Sequence, residues 1–129
     1  MFVDSGFLAD LRRGHEEAVE FYEANAHAEF SASTTVAYEL FGGPVERGAG
    51  DLVTELQHDP DWVDFVPFSV EDAAETARIE NELVGRGDRI RVPDTTIAAV
   101  ARRRGERLVA TDERFERVAG LEYTEFRSE

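Results

Sequence analysis

The run Ile97-Ala98-Ala99-Val100-Ala101 lies between Pro93 and Gly105 and offers water no polar face. Proline suits the first position of a helix and glycine its end, so these residues predict a helix. A helix apolar all round must be buried. It is followed directly by Arg107 to Ala110, a short strand bearing Leu108 and Val109. Strands with apolar cores, separated by helices, call for a parallel sheet covered on both faces. The expected class is therefore α/β.

The rest of the chain fits that alternation. Met1 to Val3 reads as a buried strand, Phe7 to Arg12 as a short helix, and His15 to Ala26 as an amphipathic helix through Ala18, Phe21 and Tyr22. Glu29 to Ser31 reads as a brief strand. Ser33 or Thr34 caps a helix that runs to about Phe41, where Gly42-Gly43-Pro44 is expected to break it. Glu46 to His58 reads as a helix with Leu52, Val53 and Leu56 on one face, Asp59-Pro60-Asp61 as a turn, and Trp62 to Pro67 as a strand. Glu71 to Val84 is an amphipathic helix carrying Ala74, Ala77, Ile79 and Leu83, and Gly85 to Asp88 a loop. Glu113 to Val118 is a short helix and Leu121 to Thr124 a last strand. There is no internal repeat, and 129 residues suit one domain, 1–129.

Charge narrows the function classes. The net charge is -14, from 28 acids against 14 bases, and every base is Arg because the chain has no Lys. Acid-rich, Lys-free composition is expected of a high-salt, halophilic cytoplasm, where screening weakens self-repulsion. No apolar run approaches the roughly 20 residues that span a bilayer, and no signal-type core follows Met1, so a cytoplasmic location is expected. Cysteine is absent, which excludes thiolate chemistry. His15, His27 and His58 lie in acid-rich helical contexts and are expected on the surface. An anionic partner must be met by local Arg clusters. From Leu83 to Arg107 there are seven Arg against three acids. Arg86, Arg89 and Arg91 are candidates to hold phosphates; Arg102, Arg103 and Arg104 more simply complement the end of a helix dipole.

Four acids stand at apolar boundaries: Asp4 after Phe2-Val3, Glu39 inside Val36 to Phe41, Asp94 before Ile97 to Ala101, and Asp112 after Leu108 to Thr111. A carboxylate there is costly unless it is solvated, hydrogen-bonded or facing a cation. Asp4 and Asp112 follow strands, and the carboxyl edge of a parallel sheet is where ligands bind. Each acid also has a plainer reading. Asp4 and Asp112 suit helix caps, Asp94 a helix N-terminus, and Glu39 a solvated helix position. If the four meet, their repulsion calls for a divalent metal, and hard oxygen donors suit Mg²⁺ or Mn²⁺. Such an ion would serve attack on phosphorus.

The ordered motifs resemble a known family. Val3-Asp4-Ser5-Gly6-Phe7-Leu8, the Glu39-Leu40 segment from Thr34, Ile90 to Ala99 around Pro93-Asp94, and Leu108 to Phe115 around Thr111-Asp112 are similar to the four motifs of PIN-domain ribonucleases of the VapC toxin type. That resemblance implies a three-layer α/β/α sandwich and endonucleolytic RNA cleavage by a metal-activated water. It implies Asp4, Glu39, Asp94 and Asp112 as the metal and catalytic carboxylates, with Ser5 orienting ligands or water. It also implies a homodimer and a small antitoxin partner. Arg114 stands where many relatives carry a further acid. Competing classes fit less well: a receiver domain needs a Lys, and an Asp-nucleophile phosphatase needs Asp-x-Asp, whereas Gly6 follows two after Asp4. A non-catalytic RNA- or protein-binding scaffold with the same pocket is the alternative.

Overall fold

The computed structural model describes residues 1–57 and 63–126. Five parallel strands form one sheet: β1 (Phe2–Val3), β2 (Ser31–Ser33), β3 (Asp64–Val66), β4 (Leu108–Ala110) and β5 (Tyr123–Glu125). Their order is β3-β2-β1-β4-β5. The helices are α1 (Ser5–Arg12), α2 (Glu16–Ala24), α3 (Thr34–Glu46), α4 (Gly50–Gln57), α5 (Val70–Gly85) and α6 (Val92–Arg104), with a 3-10 turn at Glu113–Arg117. The chain moves from β1 outwards to β3, then crosses back to β4. Right-handed crossovers place α1 to α4 on one face and α5 and α6 on the other, an α/β/α sandwich. The order reverses between β1 and β4, and the crevice at that switch point is where the fold collects ligands.

The strands are short and apolar because both faces are covered. Phe2, Val3, Leu108 and Val109 are fully buried. Ala98, Ala99 and Ala101 are also without solvent contact, which the all-apolar run required of α6. Their small side chains let α6 pack closely against α5. Phe7 anchors the other layer, its ring 4.8 Å from Phe126, 5.9 Å from Phe21 and 6.0 Å from Phe30. No described helix is long and apolar enough to cross a membrane.

Several boundaries differ from the sequence reading, each for a local reason. The strand expected over Glu29 to Ser31 lies at Ser31–Ser33, where it pairs with both β1 and β3. Ser33 ends it and at once caps α3, its Oγ accepting from the Val36 N–H at 3.3 Å, so no loop intervenes. The expected break at Gly42-Gly43-Pro44 does not occur; α3 runs through to Glu46. Proline removes one N–H, but the residue before it is Gly43, which has no Cβ to clash with the ring. Pro44 is buried, and the helix ends two residues later. Consequently α4 begins at Gly50 rather than Glu46, after Gly48 turns the chain at φ 76°. The short helix expected over Glu113 to Val118 is a 3-10 helix, Glu113–Arg117. His27 is exposed, but His15 is only half-exposed, its Nδ1 buried without a partner among the described residues. His58, the turn at Asp59 to Asp61 and Trp62 lie outside the described residues, and the expected apolar face of Leu52, Val53 and Leu56 falls on side chains outside the description.

Two of the three α6 arginines fasten α6 to α5, while Arg104 pairs with Glu106 just beyond its own helix. Arg102 Nε lies 2.9 Å from Glu75 and its Nη1 3.1 Å from Glu82, both on α5. Arg103 Nε lies 2.6 Å from the buried Asp72. Asp72 also closes a capping box with Ser69, accepting the Ser69 N–H at 2.9 Å while Ser69 Oγ accepts the Asp72 N–H at 3.1 Å. Burial pushes the Asp72 carboxyl up, but the Ser69 and Arg103 bonds outweigh it and hold the group below its usual range. Asp72→Ala removes the ion pair and the acceptor of the Ser69 N–H together, though Ser69 Oγ still caps the helix, and is expected to cost about 2–4 kcal/mol. Urea unfolding checks this; Arg103→Ala, which leaves the capping box, should cost less.

Candidate metal centre

The backbone brings the four motif acids to one edge of the sheet. Asp4 follows β1 and caps α1, its Oδ1 accepting the Phe7 N–H at 2.8 Å. Asp112 follows β4 and caps the 3-10 turn, its Oδ1 accepting the Arg114 N–H at 2.9 Å. Asp94 is in the first turn of α6 and Glu39 in the second turn of α3. The capping readings therefore hold, and they leave one oxygen of each aspartate free of those bonds. A Cβ added to Gly6 would lie 3.6 Å from both Asp4 oxygens and 3.7 Å from Thr111 Oγ1, so β1, α1 and β4 meet over this carboxylate.

Electrostatics link the acids to one another. Burial pushes the Asp4 carboxyl up to about 7; the Phe7 N–H opposes this, and the charges of Asp94 and Glu39 add to it. Glu39 is raised by burial and by Asp94, with Arg91 opposing. Asp94 is raised by burial and by Asp112, with Arg91 and Arg114 opposing. Carboxylates whose charges raise Asp4, Glu39 and Asp94 form a set that gains from a cation. Among the described residues no three His, Asp or Glu side chains stand closely enough to cage an ion as they lie. The donor chemistry nevertheless fits Mg²⁺ or Mn²⁺. It consists of carboxylate oxygens, with no thiolate or imidazole in the set. Asp4, Glu39, Asp94 and Asp112 are the residues that would hold such an ion.

The other sequence candidates fall in different places. Ser5 opens α1 beside Asp4 and lines a cleft of about 360 Å³ that it shares with Gly6 and Glu39. Arg91 precedes α6 and its charge acts on both Glu39 and Asp94. Arg86 instead pairs with Asp88 at 3.7 Å and donates to the Arg117 carbonyl, and Arg89 pairs with Glu80 at 3.1 Å. Motif reading missed Tyr123, Arg12 and Arg47, and marked Arg114 only as a departure from the family's pattern. Arg114 Nε lies 3.2 Å from Asp112 Oδ1 and neutralises it. The Tyr123 hydroxyl is buried without a partner among the described residues. Burial first, then Glu125, Asp4 and Asp112, hold that phenol in its neutral form. Arg12 and Arg47 line the cleft beside Glu39, and no local pattern marked them.

The PIN-domain family model matches residues 1–121, and the chain belongs to that family. Solved structures of similar fold include members of the VapBC family of toxin–antitoxin systems. VapBC of Salmonella typhimurium, solved bound to DNA, superposes with a TM-score of 0.82 at 20% identity over 98% of this chain and 97% of that one. FitAcB of Neisseria gonorrhoeae gives a TM-score of 0.82 at 18% identity over 97% and 96%. VapC20 of Mycobacterium tuberculosis, a sarcin–ricin loop cleaving toxin, gives 0.66 at 20% identity over 94% and 98%. No curated protein matches the chain.

Proposed function

We propose that this chain is a Mg²⁺- or Mn²⁺-dependent endoribonuclease, the toxin of a VapBC-type pair. The observation that carries the reading is the placement of Asp4 and Asp112 at the ends of β1 and β4, with Asp94 and Glu39 close enough to raise Asp4, at the switch point of a PIN-type sheet. When bound, the cation supplies Lewis acidity, lowering the pKa of water and offsetting charge that develops on phosphate oxygens. The chain's own residues prepare that site. Phe7 N–H fixes the Asp4 carboxylate through one oxygen, leaving the other for a ligand. Asp4, with its proton held up to about 7, must lose that proton as the site fills. Ser5, at the first turn of α1, would orient water or ligand by its hydroxyl. Arg91 offsets charge on Glu39 and Asp94 and is available to a phosphate.

One observation favours a non-catalytic RNA- or protein-binding scaffold: Arg114 already occupies Asp112. Turnover separates the two readings. Protein stripped with EDTA and returned to Mn²⁺ or Mg²⁺ in molar KCl is expected to cut single-stranded RNA, with at least a hundredfold loss in EDTA. Cleavage unaffected by EDTA, or no cleavage with either metal, contradicts the nuclease reading. The partners in this reading are an antitoxin that covers the acids and a second copy of the chain. Tyr38 (80% exposed) and Val45 (60% exposed), on α3 beside Glu39, are apolar surface available for such a contact. The acid excess and absence of Lys support activity in a high-salt cytoplasm.

A further inference from the structure

Most Arg side chains in this acidic protein are already engaged. Arg78 pairs with Glu75, Arg89 with Glu80, Arg103 with Asp72, Arg104 with Glu106, Arg107 with Glu122 and Arg114 with Asp112. Arg86, Arg102 and Arg117 bind carboxylates or carbonyls, and Arg13 lies 3.8 Å from Asp10. Among the described residues, Arg12, Arg47 and Arg91 alone have no acceptor within hydrogen-bond or ion-pair reach. All three border either the acids or the cleft that runs from them. Arg91 acts on Glu39 and Asp94, while Arg12 and Arg47 line the cleft that Glu39, Ser5 and Gly6 enter from the other end.

With 28 acids in the chain, unpaired guanidiniums in one cleft are not explained by chance neutralisation. Arg12 in the last turn of α1 and Arg47 at the end of α3 each favour a helix C-terminus. The dipole accounts for a cation at each end but not for both entering the same cleft. Arg47 Nη1 is folded over Gly43, 3.2 Å from where a Cβ would stand there, and the missing side chain makes that placement possible. At 1.5 Å per residue, Arg12 lies about 10 Å along α1 from Ser5, and Arg47 about 12 Å along α3 from Glu39. The two helices thus carry cations from the acids to the far end of the cleft.

We propose that this α1–α3 cleft is the track for the single-stranded RNA backbone on one side of the scissile bond, with Arg12 and Arg47 each holding a phosphate. The inference rests on the nuclease reading for the position of the scissile bond, but its test does not. Bidentate guanidinium–phosphate pairing gives affinity without base selection. The acid cluster repels a polyanion, so the strand needs cations displaced from the metal centre, which is where these two lie.

The test is fluorescence anisotropy of a labelled 12-nucleotide single-stranded RNA, in EDTA so that nothing is cut, across a KCl series. Arg12→Gln/Arg47→Gln should weaken binding at least tenfold and lower the slope of log affinity against log salt by about 1.4, two phosphates at about 0.7 each. Arg78→Gln/Arg104→Gln removes the same charge from side chains already paired on α5 and α6, and should change neither. In the cleavage assay the cleft variant should raise KM tenfold with kcat within twofold. Equal weakening by both double variants, or none by the cleft variant, overturns the proposal. So does Arg-dependent binding of poly-glutamate with no binding of RNA, which would assign the cleft to an acidic protein segment. Arg-dependent RNA binding without any cleavage supports the track while removing the nuclease reading.

Discussion

Asp4→Asn and Asp94→Asn proteins are expected to lose RNA cleavage by about 10³-fold, the scale for removing one preorganised charged group from a reacting centre. Each substitution preserves shape and removes a negative oxygen. Neither should unfold the chain. An Asn at position 4 can still accept the Phe7 N–H, and position 94 is a half-buried site in the first turn of α6 rather than in the core. Glu39→Gln should have a smaller effect, because Glu39 is exposed at the rim and its carboxylate is shared with the cleft. Initial rates on a labelled RNA, with far-UV circular dichroism to confirm folding, measure this. Full activity in both Asp variants removes the assignment.

The same carboxylate makes the metal-free protein less stable than it would otherwise be. The folded pKa of Asp4, about 7, lies above the ordinary carboxylate value of 3.8, mainly through burial. Below about pH 3.8 both folded and unfolded chains keep the proton, and the group carries no penalty. As pH rises from there to 7, the unfolded chain releases the proton while the fold holds it, and stability is lost throughout that window. About three units at 1.36 kcal/mol each set an upper bound near 4 kcal/mol. Asp4→Asn escapes the penalty and should be about 2–4 kcal/mol more stable than wild type in EDTA at pH 8. At pH 4 the two should be nearly equal. Adding Mg²⁺ at a hundred times its Kd should return about 2.7 kcal/mol to wild type and little to the variant. Urea unfolding at the two pH values is the check. A wild type as stable as Asp4→Asn at pH 8 in EDTA would mean that burial and the neighbouring acids do not hold the Asp4 carboxyl up.

What was legible in the sequence follows from range. The apolar run of α6, the strand at Leu108–Ala110 and the acids at strand ends are local patterns, and the buried parallel sheet follows from them. The extension of α3 through Pro44 was not legible because it depends on Gly43 relieving the clash and on Pro44 being buried. The strand at Ser31–Ser33 shifted because pairing with β1 and β3 decides its register, whereas its own composition is polar and weak. For the candidate site, motif order pointed to the four acids. It could not say which arginines are free. Arg86 and Arg89 flank the third motif in sequence yet are paired with other groups, while Arg12 and Arg47 come from helix ends far apart in the chain. Only packing brings those ends into one cleft.

The central claim is that Asp4, Glu39, Asp94 and Asp112 share a divalent cation. Its most direct measurement is anomalous scattering from crystals grown with Mn²⁺. A peak about 2.0–2.3 Å from oxygens of at least Asp4 and Asp94 is the predicted result. A fully occupied Mn²⁺ elsewhere on the molecule, with no density between these carboxylates, would contradict the account.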